Sequence, residues 1–318
     1  MERQLYDLII LGGGCAGLTA GIYAGRAGLN TLILESSAPG GQAALTGTIE
    51  NYPGVPEASG PELIQRMAEQ AASFGAELRT CPVNTVRLDG GRKLAETGDG
   101  VFESAAMIIA AGASPKMAGF EGEEEYRGKG VGYCAACDGF FFRGKDIFVI
   151  GGGNAAAEEA LYLTRFGKRV IMLVRKDRLR CEKVIARKVL EHPRIEVRFN
   201  TELVRVYGGD VLKGAELKNN KTGELSAYTV SEEDGTFGIF VFVGRQPASA
   251  MFRGQIELDE ADYILTNGKM ETSLPGVFAA GDIRAKEVRQ IVTAAADGAA
   301  AALHAEKYIA ENAKPRRG

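Results

Sequence analysis

The sequence predicts an α/β fold containing two doubly wound units, and two observations carry that prediction. A short pattern occurs twice: Asp7-Leu8-Ile9-Ile10-Leu11-Gly12-Gly13-Gly14 and Asp146-Ile147-Phe148-Val149-Ile150-Gly151-Gly152-Gly153 match across an offset of 139 residues. Each copy is an apolar run, a glycine turn, a helical stretch and a second apolar run, which is the order of a βαβ unit. The chain has 318 residues, enough for two such units at ~150 residues per domain.

The elements follow in order. The first copy predicts a strand to Leu11, a helix over 15–27 closed by Gly28, and a strand over 31–34. Ser59-Gly60-Pro61-Glu62 is a capping-box start for a helix to about Phe74. Its apolar residues Leu63, Ile64, Met67, Ala71 and Phe74 keep helical spacing. Short strands between Gly/Asp turns follow to about Ala110. The second copy predicts a strand to Ile150, a helix over 154–166 closed by Gly167, and a strand over 169–174. A helix near 182–190 precedes strands and turns to about Val243, and a strand over 276–280 and a long helix over about 288–311 close the chain. The two units are unequal, and the chain is expected to return to the first after completing the second.

Composition narrows the function. With 45% hydrophobic residues the chain is not disordered. A net charge of −3 gives no basic surplus for nucleic acid. Five cysteines in this length make no secreted disulfide framework. The start, Met1 to Asp7, carries acidic residues where a secretory leader has basic and apolar ones. No stretch reaches the ~20 apolar residues of a membrane span; the alanine-rich run 294–303 comes nearest, and Asp297 interrupts it. The expectation is a cytoplasmic protein without nucleic-acid or membrane partners. The end, Lys314-Pro315-Arg316-Arg317-Gly318, reads as a frayed basic tail.

Each glycine turn has a chemical reading. In Gly12-x-Gly14-x-x-Gly17 the first glycine allows the tight turn, the second lets a pyrophosphate approach, and the third lets helix and sheet pack closely. The helix N-terminus then presents free N–H groups to the diphosphate. Glu35, at the end of the next strand, suits ribose hydroxyls and repels a 2′-phosphate. In Gly151-x-Gly153-x-x-Ala156 the turn recurs, but the position matching Glu35 is Val174. Arg175, Lys176 and Arg180 follow, cations that would pair with a 2′-phosphate. Two Rossmann-like sites of different charge suggest two dinucleotides: a flavin at the first and NADPH, rather than NADH, at the second.

Cys134-Ala135-Ala136-Cys137 is the one CxxC in the sequence. Zinc would need two further ligands, and His192 and His304 offer no ligand spacing. No metal is expected, and the pair reads as a redox dithiol with Asp138 beside it to move protons. Cys15 reads as packing at the start of the first helix, and Cys81 and Cys181 as non-catalytic.

A CxxC-Asp just before a GxGxxA, with a GxGxxG upstream, resembles the bacterial low-molecular-weight thioredoxin reductases. The resemblance spans nearly the whole chain through Gly40-Gly41-Gln42, Glu50-Asn51-Tyr52-Pro53-Gly54, Ala110-Ala111-Gly112-Ala113, Gly151-Gly152-Gly153-Asn154, Gly244-Arg245-Gln246-Pro247, Ala279-Ala280-Gly281-Asp282 and Arg289-Gln290. It implies an FAD domain from residues 1–113 and 245–318, with an NADPH domain, 114–244, inserted. It implies that Cys15, Ala16, Gly41, Gln42, Asn51, Ala111, Gly281, Asp282, Arg289, Gln290 and Ile291 join the first glycine turn and Glu35 at FAD. Asn154, Ala155 and Gly244 would join the second turn and its cations at NADPH. Asp282 would hold the ribityl chain and Gln290 would sit at the flavin ring. Cys137 would be the thiol next to the flavin, Cys134 the one that attacks thioredoxin, and Asp138 the proton carrier. The family is homodimeric, and its inserted domain turns on two linkers, expected here near 113–117 and 243–245.

The sequence departs from the family at the coenzyme phosphate, where His-Arg-Arg is replaced by Val174-Arg175-Lys176. Lys is a point charge without Arg's bidentate fork. A ferredoxin-driven enzyme of the same fold is therefore a second reading. A flavoprotein redox sensor, or a reductase of another thioredoxin-like partner, is a third, although a sensor needs no hydride donor.

Overall fold

The computed structural model describes residues 3–312, so the basic tail at 314–318 lies outside the described residues. In chain order the first segment holds β1 (Arg3–Leu11), α1 (Cys15–Arg26), β2 (Thr31–Glu35), α2 (Gly41–Ala44), α3 (Gly60–Ser73), β3 (Glu77–Thr80), β4 (Val83–Arg87), β5 (Lys93–Thr97) and β6 (Gly100–Ile109). After a linker strand β7 (Ala113–Pro115) come β8 (Val131–Gly132), α4 (Ala135–Asp138), β9 (Asp146–Ile150), α5 (Asn154–Leu163), β10 (Arg169–Val174), α6 (Lys183–Glu191), β11 (Ile195–Phe199), β12 (Thr201–Gly208), β13 (Leu212–Asn219), β14 (Leu225–Thr229) and β15 (Gly238–Val241). The chain returns through β16 (Arg245–Pro247), β17 (Val277–Ala279) and α7 (Ile291–Asn312). It divides into two compact units: one runs to Ser114 and resumes at Gln246, and the other, inserted, is Pro115–Arg245. The two linker strands β7 and β16 pair with each other.

The first unit is built on a seven-stranded sheet in the order β3-β2-β1-β6-β5-β4. β6 shares one edge between two partners: β5 runs antiparallel along Gly100–Ser104, and β17 runs parallel along Met107–Ile109. In this way the C-terminal segment completes the sheet that the N-terminus began. The run Leu8-Ile9-Ile10-Leu11 is continuously apolar because both faces of β1 are covered. Leu8 and Ile10 enter the core beneath α1, α3 and α7, while Ile9 and Leu11 enter the core on the opposite face. The inserted unit repeats this logic in a five-stranded parallel sheet, β11-β10-β9-β15-β8. Ile147 and Val149 face one core and Phe148 and Ile150 the other. An antiparallel sheet, β12-β13-β14, packs beside it.

Local expectations met four corrections. Ser59 caps α3 by accepting the Glu62 N–H at 3.3 Å, but Glu62 pairs with Arg66 at 2.6 Å, so only half of the capping box is on view. Phe74 is the C-cap residue rather than part of the apolar stripe, and is 38% exposed beneath the Arg26 guanidinium. α5 stops at Leu163, three residues early, because the chain turns at once to pair Gly144 N–H with the Phe166 carbonyl. α7 begins at Ile291 rather than 288, where the Thr293 hydroxyl accepts the Gln290 N–H at 3.1 Å.

Candidate active site

The two glycine turns are alike atom by atom. Gly12 (φ +109°) and Gly151 (φ +145°) lie where an L side chain is strained, and a Cβ on either would come within 2.5 Å of a carbonyl oxygen, of Ala110 and Phe242 respectively. A Cβ on Gly17 would overlap the Gly12 carbonyl oxygen; in the second turn Ala156 occupies that place, fully buried. Gly14 and Gly153 differ from their neighbours. A Cβ on Gly14 would have only the Gly40 oxygen nearby, at 3.9 Å, and one on Gly153 nothing within 4 Å. Both are helix N-caps with extended backbone and no side-chain cap. Each turn therefore offers open space in front of an uncapped helix start, a cradle that fits a pyrophosphate. Cys15 and Ala16 begin α1, and Asn154 and Ala155 begin α5. Asn154 accepts the Glu182 N–H at 2.9 Å, which ties α5 to the start of α6.

The strand ends carry the contrast in charge. Glu35 accepts the Gly13 N–H at 2.7 Å and the Ser37 N–H at 3.1 Å, so its carboxylate is fixed beside the first turn. At the equivalent place Val174 lies against Gly152, where a Cβ would come within 2.9 Å of its side chain. The loop after each strand then returns to its turn: Gly40 N–H donates to Gly13 and Arg180 N–H to Gly152, at 2.9 and 2.6 Å. That return places Arg180 against the second turn. Arg175, Lys176 and Arg180 are exposed, as is Arg178, a fourth cation that the sequence reading passed over.

Cys134 and Cys137 are joined, Cα to Cα 5.3 Å, with Cys134 as the N-cap of the single turn α4. The Cys137 and Asp138 N–H groups donate to the Cys134 carbonyl, so a one-turn helix sets the CxxC spacing. Asp138 packs against Gly132, where a Cβ would stand 3.0 Å from its Oδ2. Burial pushes its carboxyl up to about 6. Tyr133, next to Cys134, donates to the 1% exposed Glu123 at 2.7 Å, and Glu123 also accepts the Ala118 and Gly119 N–H groups. The remaining thiols differ in character. Burial pushes Cys15 up to about 12 and also raises Cys181, while Cys81 is buried. A thiol held that high carries no thiolate at neutral pH.

The other predicted residues of the first unit fall into small groups. The Asn51 amide donates to Gln290 at 3.4 Å, and the Gln42 amide to Ser114 at 3.4 Å. Gly41 and Gln42 open α2, and Ala111 follows β6. Gly281 and Asp282 form the turn after β17, and Ile291 opens α7. Arg289 lies 4.3 Å over the Tyr263 ring, its Nε buried without a hydrogen-bond partner. Gly244 (φ +116°) accepts the Lys116 N–H through its carbonyl, joining the two ends of the inserted unit. Sequence reasoning did not single out Glu123, Tyr133, Tyr263 or Asp297, which the structure places beside predicted residues. Asp297 did leave a signal, as the one carboxylate inside an alanine run.

Residues 6–298 match the family model described as pyridine nucleotide-disulphide oxidoreductase. The chain belongs to that family. Among its relatives is a thioredoxin reductase of Peptoclostridium acidaminophilum, 47% identical over 311 residues, covering 98% of this chain and 99% of the relative. The thioredoxin reductase of Bacillus subtilis (strain 168) is 41% identical over 315 residues, covering 98% and 96%. Solved structures agree. The thioredoxin reductase of Streptococcus pyogenes MGAS5005 matches with a TM-score of 0.91 at 38% identity, covering 98% of this chain and all of that one. That of Lactococcus lactis, in its FR conformation, matches with a TM-score of 0.65 at 42% identity, covering 96% and 99%. Of these parts the Cys134–Cys137 pair is the one able to change oxidation state, and the two glycine turns are cradles of the kind that hold a dinucleotide. Among the described residues no group of His, Cys, Asp and Glu is placed to hold a metal.

Proposed function

We propose that this chain reduces the disulfide of thioredoxin with electrons from NADPH, through FAD and its own Cys134–Cys137 pair. The observation that carries this reading is the Cys134–Cys137 disulfide with the half-buried Asp138 beside it, in a unit that also holds the second glycine turn. The relatives' names support it, since they are thioredoxin reductases along nearly their full length. Residues 1–113 and 245–318 would form the FAD-binding domain and 114–244 the NADPH-binding domain. The assembly would be a cytoplasmic homodimer; among the described residues no helix is long and apolar enough to cross a membrane.

When bound, FAD supplies the two-electron relay between a hydride donor and a disulfide. The start of α1 holds its diphosphate with free N–H groups, and Glu35, already aligned by Gly13, accepts ribose hydroxyls. Asp282, Asn51, Gln42 and Gln290 orient the rest. In the inserted unit the start of α5 holds the diphosphate of NADPH. Val174 offers no carboxylate to repel the 2′-phosphate, and Arg175, Lys176 and Arg180 attract it. Lys176 contributes charge without a fork, so Arg175 and Arg180 carry the geometric match.

Two electrons cleave the Cys134–Cys137 bond. The Cys134 thiolate attacks one sulfur of the thioredoxin disulfide, forming a mixed disulfide as the other thioredoxin sulfur leaves and takes a proton. The Cys137 thiolate then attacks Cys134 Sγ, restores the pair and releases the second thioredoxin sulfur. Asp138, held up at about 6, is placed to give and regain a proton close to neutral pH. Over one cycle NADPH, one proton and a disulfide become NADP⁺ and a dithiol.

The test mixes the purified protein anaerobically with NADPH, then NADH, and follows the flavin visible band. Fast bleaching by NADPH with NADH much slower is expected. No bleaching by either, with reduction by ferredoxin instead, moves the protein to the ferredoxin-driven reading. Alongside, Cys137→Ser is expected to keep NADPH-to-dye electron flow and abolish thioredoxin reduction. Surviving thioredoxin reduction in that variant defeats the site assignment.

A further inference from the structure

The first unit is made from two distant stretches of chain, and something must set their register where they meet. α7 lies along α1, and the closest approach is at Gly298, where a Cβ would overlap the Ala16 carbonyl oxygen. Ala16 belongs to the first glycine turn. The residue before Gly298 is Asp297, the carboxylate within the alanine run.

Asp297 is largely enclosed, its side chain 13% exposed, and a single oxygen, Oδ2, gathers three donors. They are the Gly281 N–H at 3.0 Å, Arg284 Nη1 at 2.9 Å and Lys286 Nζ at 2.8 Å. Arg284 and Lys286 are themselves only 11% and 12% exposed. Lys286 also reaches the Thr293 hydroxyl at 3.3 Å, the same hydroxyl that accepts the Gln290 N–H. All three donors come from one strap, 281–286, that leads from Asp282 to Gln290. One carboxylate in α7 therefore fixes both the start and the middle of that strap, while its neighbour Gly298 fixes α7 against the first glycine turn.

We propose that Asp297 is the positioning residue of the FAD site. It holds the strap carrying Asp282 and Gln290 in register with the glycine turn that receives the diphosphate. It acts through Gly281, Arg284 and Lys286, the three donors that meet its Oδ2. The strap is also tied to Ile264 by the Ile264 and Ala285 N–H groups and to Thr266 by Arg284 Nε, at 3.0, 3.0 and 2.7 Å, but Asp297 is its charge-assisted tie to α7, and one oxygen shared by three donors couples them as a unit. This rests on the reading of the first unit as the FAD site.

The experiment measures FAD dissociation constants for wild type, Asp297→Ala and Asp297→Asn, and thermal midpoints of each with and without FAD. Asp297→Ala is expected to bind FAD on the order of tenfold or more weakly, and the gap between its FAD-loaded and FAD-free midpoints shrinks. Asp297→Asn keeps an acceptor for Gly281 N–H but loses the charge, so its loss is smaller. It also serves as the folded variant if the alanine protein fails to fold. Wild-type affinity in the variants, with midpoints lowered equally in both states, would mean that Asp297 only stabilises the fold and would overturn the proposal. A wild-type protein that takes up no FAD instead defeats the underlying reading.

Discussion

Asp138 carries a stability cost, and on the proposed function that cost serves the chemistry of the cysteine pair. Its carboxyl rises from 3.8 to about 6 because burial disfavours the charged form. The folded state therefore holds the proton more tightly than the unfolded chain. Below pH 3.8 both states are protonated and there is no penalty. Between 3.8 and about 6 the penalty grows, and above that it is complete, on the order of 3 kcal/mol. Asp138→Asn removes the charge and keeps the shape. The variant is expected to melt above wild type at pH 8, and the advantage should vanish as pH falls to about 4. It should also lose thioredoxin turnover by roughly 10²-fold, as expected when a positioned proton carrier is removed, with reduction by NADPH intact. Thermal midpoints across pH, paired with kcat, check both halves; a variant with no gain at pH 8 would mean that Asp138 is not desolvated. The Cys-x-x-Cys-Asp pattern exposed this residue in the sequence, but its place against Gly132 in β8 is one that no local pattern announces.

The glycine turns show which parts of an element serve the fold and which serve a ligand. A Cβ on Gly17 overlaps a backbone oxygen, whereas one on Gly153 meets nothing within 4 Å and the backbone there, φ −91°, suits any residue. Gly17→Ala should therefore fail to fold or lose its flavin. Gly153→Ala should fold with a thermal stability within about 1 kcal/mol of wild type, yet raise the KM for NADPH, since the added methyl stands where the diphosphate approaches. Melting curves and NADPH saturation curves separate the two; an unchanged KM in Gly153→Ala would remove the second turn from the coenzyme site. These turns were legible in the sequence because their chemistry is local and repeated. The capping box at Ser59 was half legible, since Glu62 had a competing partner in Arg66 four residues on. Glu123 was not legible at all. It sits in the acidic run Glu121-Gly122-Glu123-Glu124-Glu125, which reads as a solvated face, and only the fold turns it inward to three donors.

The whole molecule is organised by an insertion, and the insertion sets a kinetic problem. The chain crosses between its units twice, at Ser114–Pro115 and Arg245–Gln246. Both crossings were legible because the motifs of the first unit resume after the second glycine turn. The charge cluster on Asp297 was not, because its donors lie 11 to 16 residues away in sequence and meet only when α7 docks. The inserted unit bears both the second glycine turn and the Cys134–Cys137 pair, while the first turn and Asp282 belong to the other. On the proposed assignment, a nicotinamide and a disulfide carried on one unit would take turns at a flavin carried on the other, and each thioredoxin turnover would need the linkers to swing and return. Such motions run on microsecond to millisecond timescales and can limit kcat. Reduction of a small dye needs no exchange with the disulfide, and hence no alternation. Thioredoxin turnover at saturating substrate is therefore expected to slow as sucrose or glycerol raises solvent viscosity, while NADPH-to-dye turnover at matched viscosity changes little. Equal slopes for the two reactions, or a thioredoxin kcat indifferent to viscosity, would place the slow step in the chemistry at Cys134 and Cys137 rather than in the linkers.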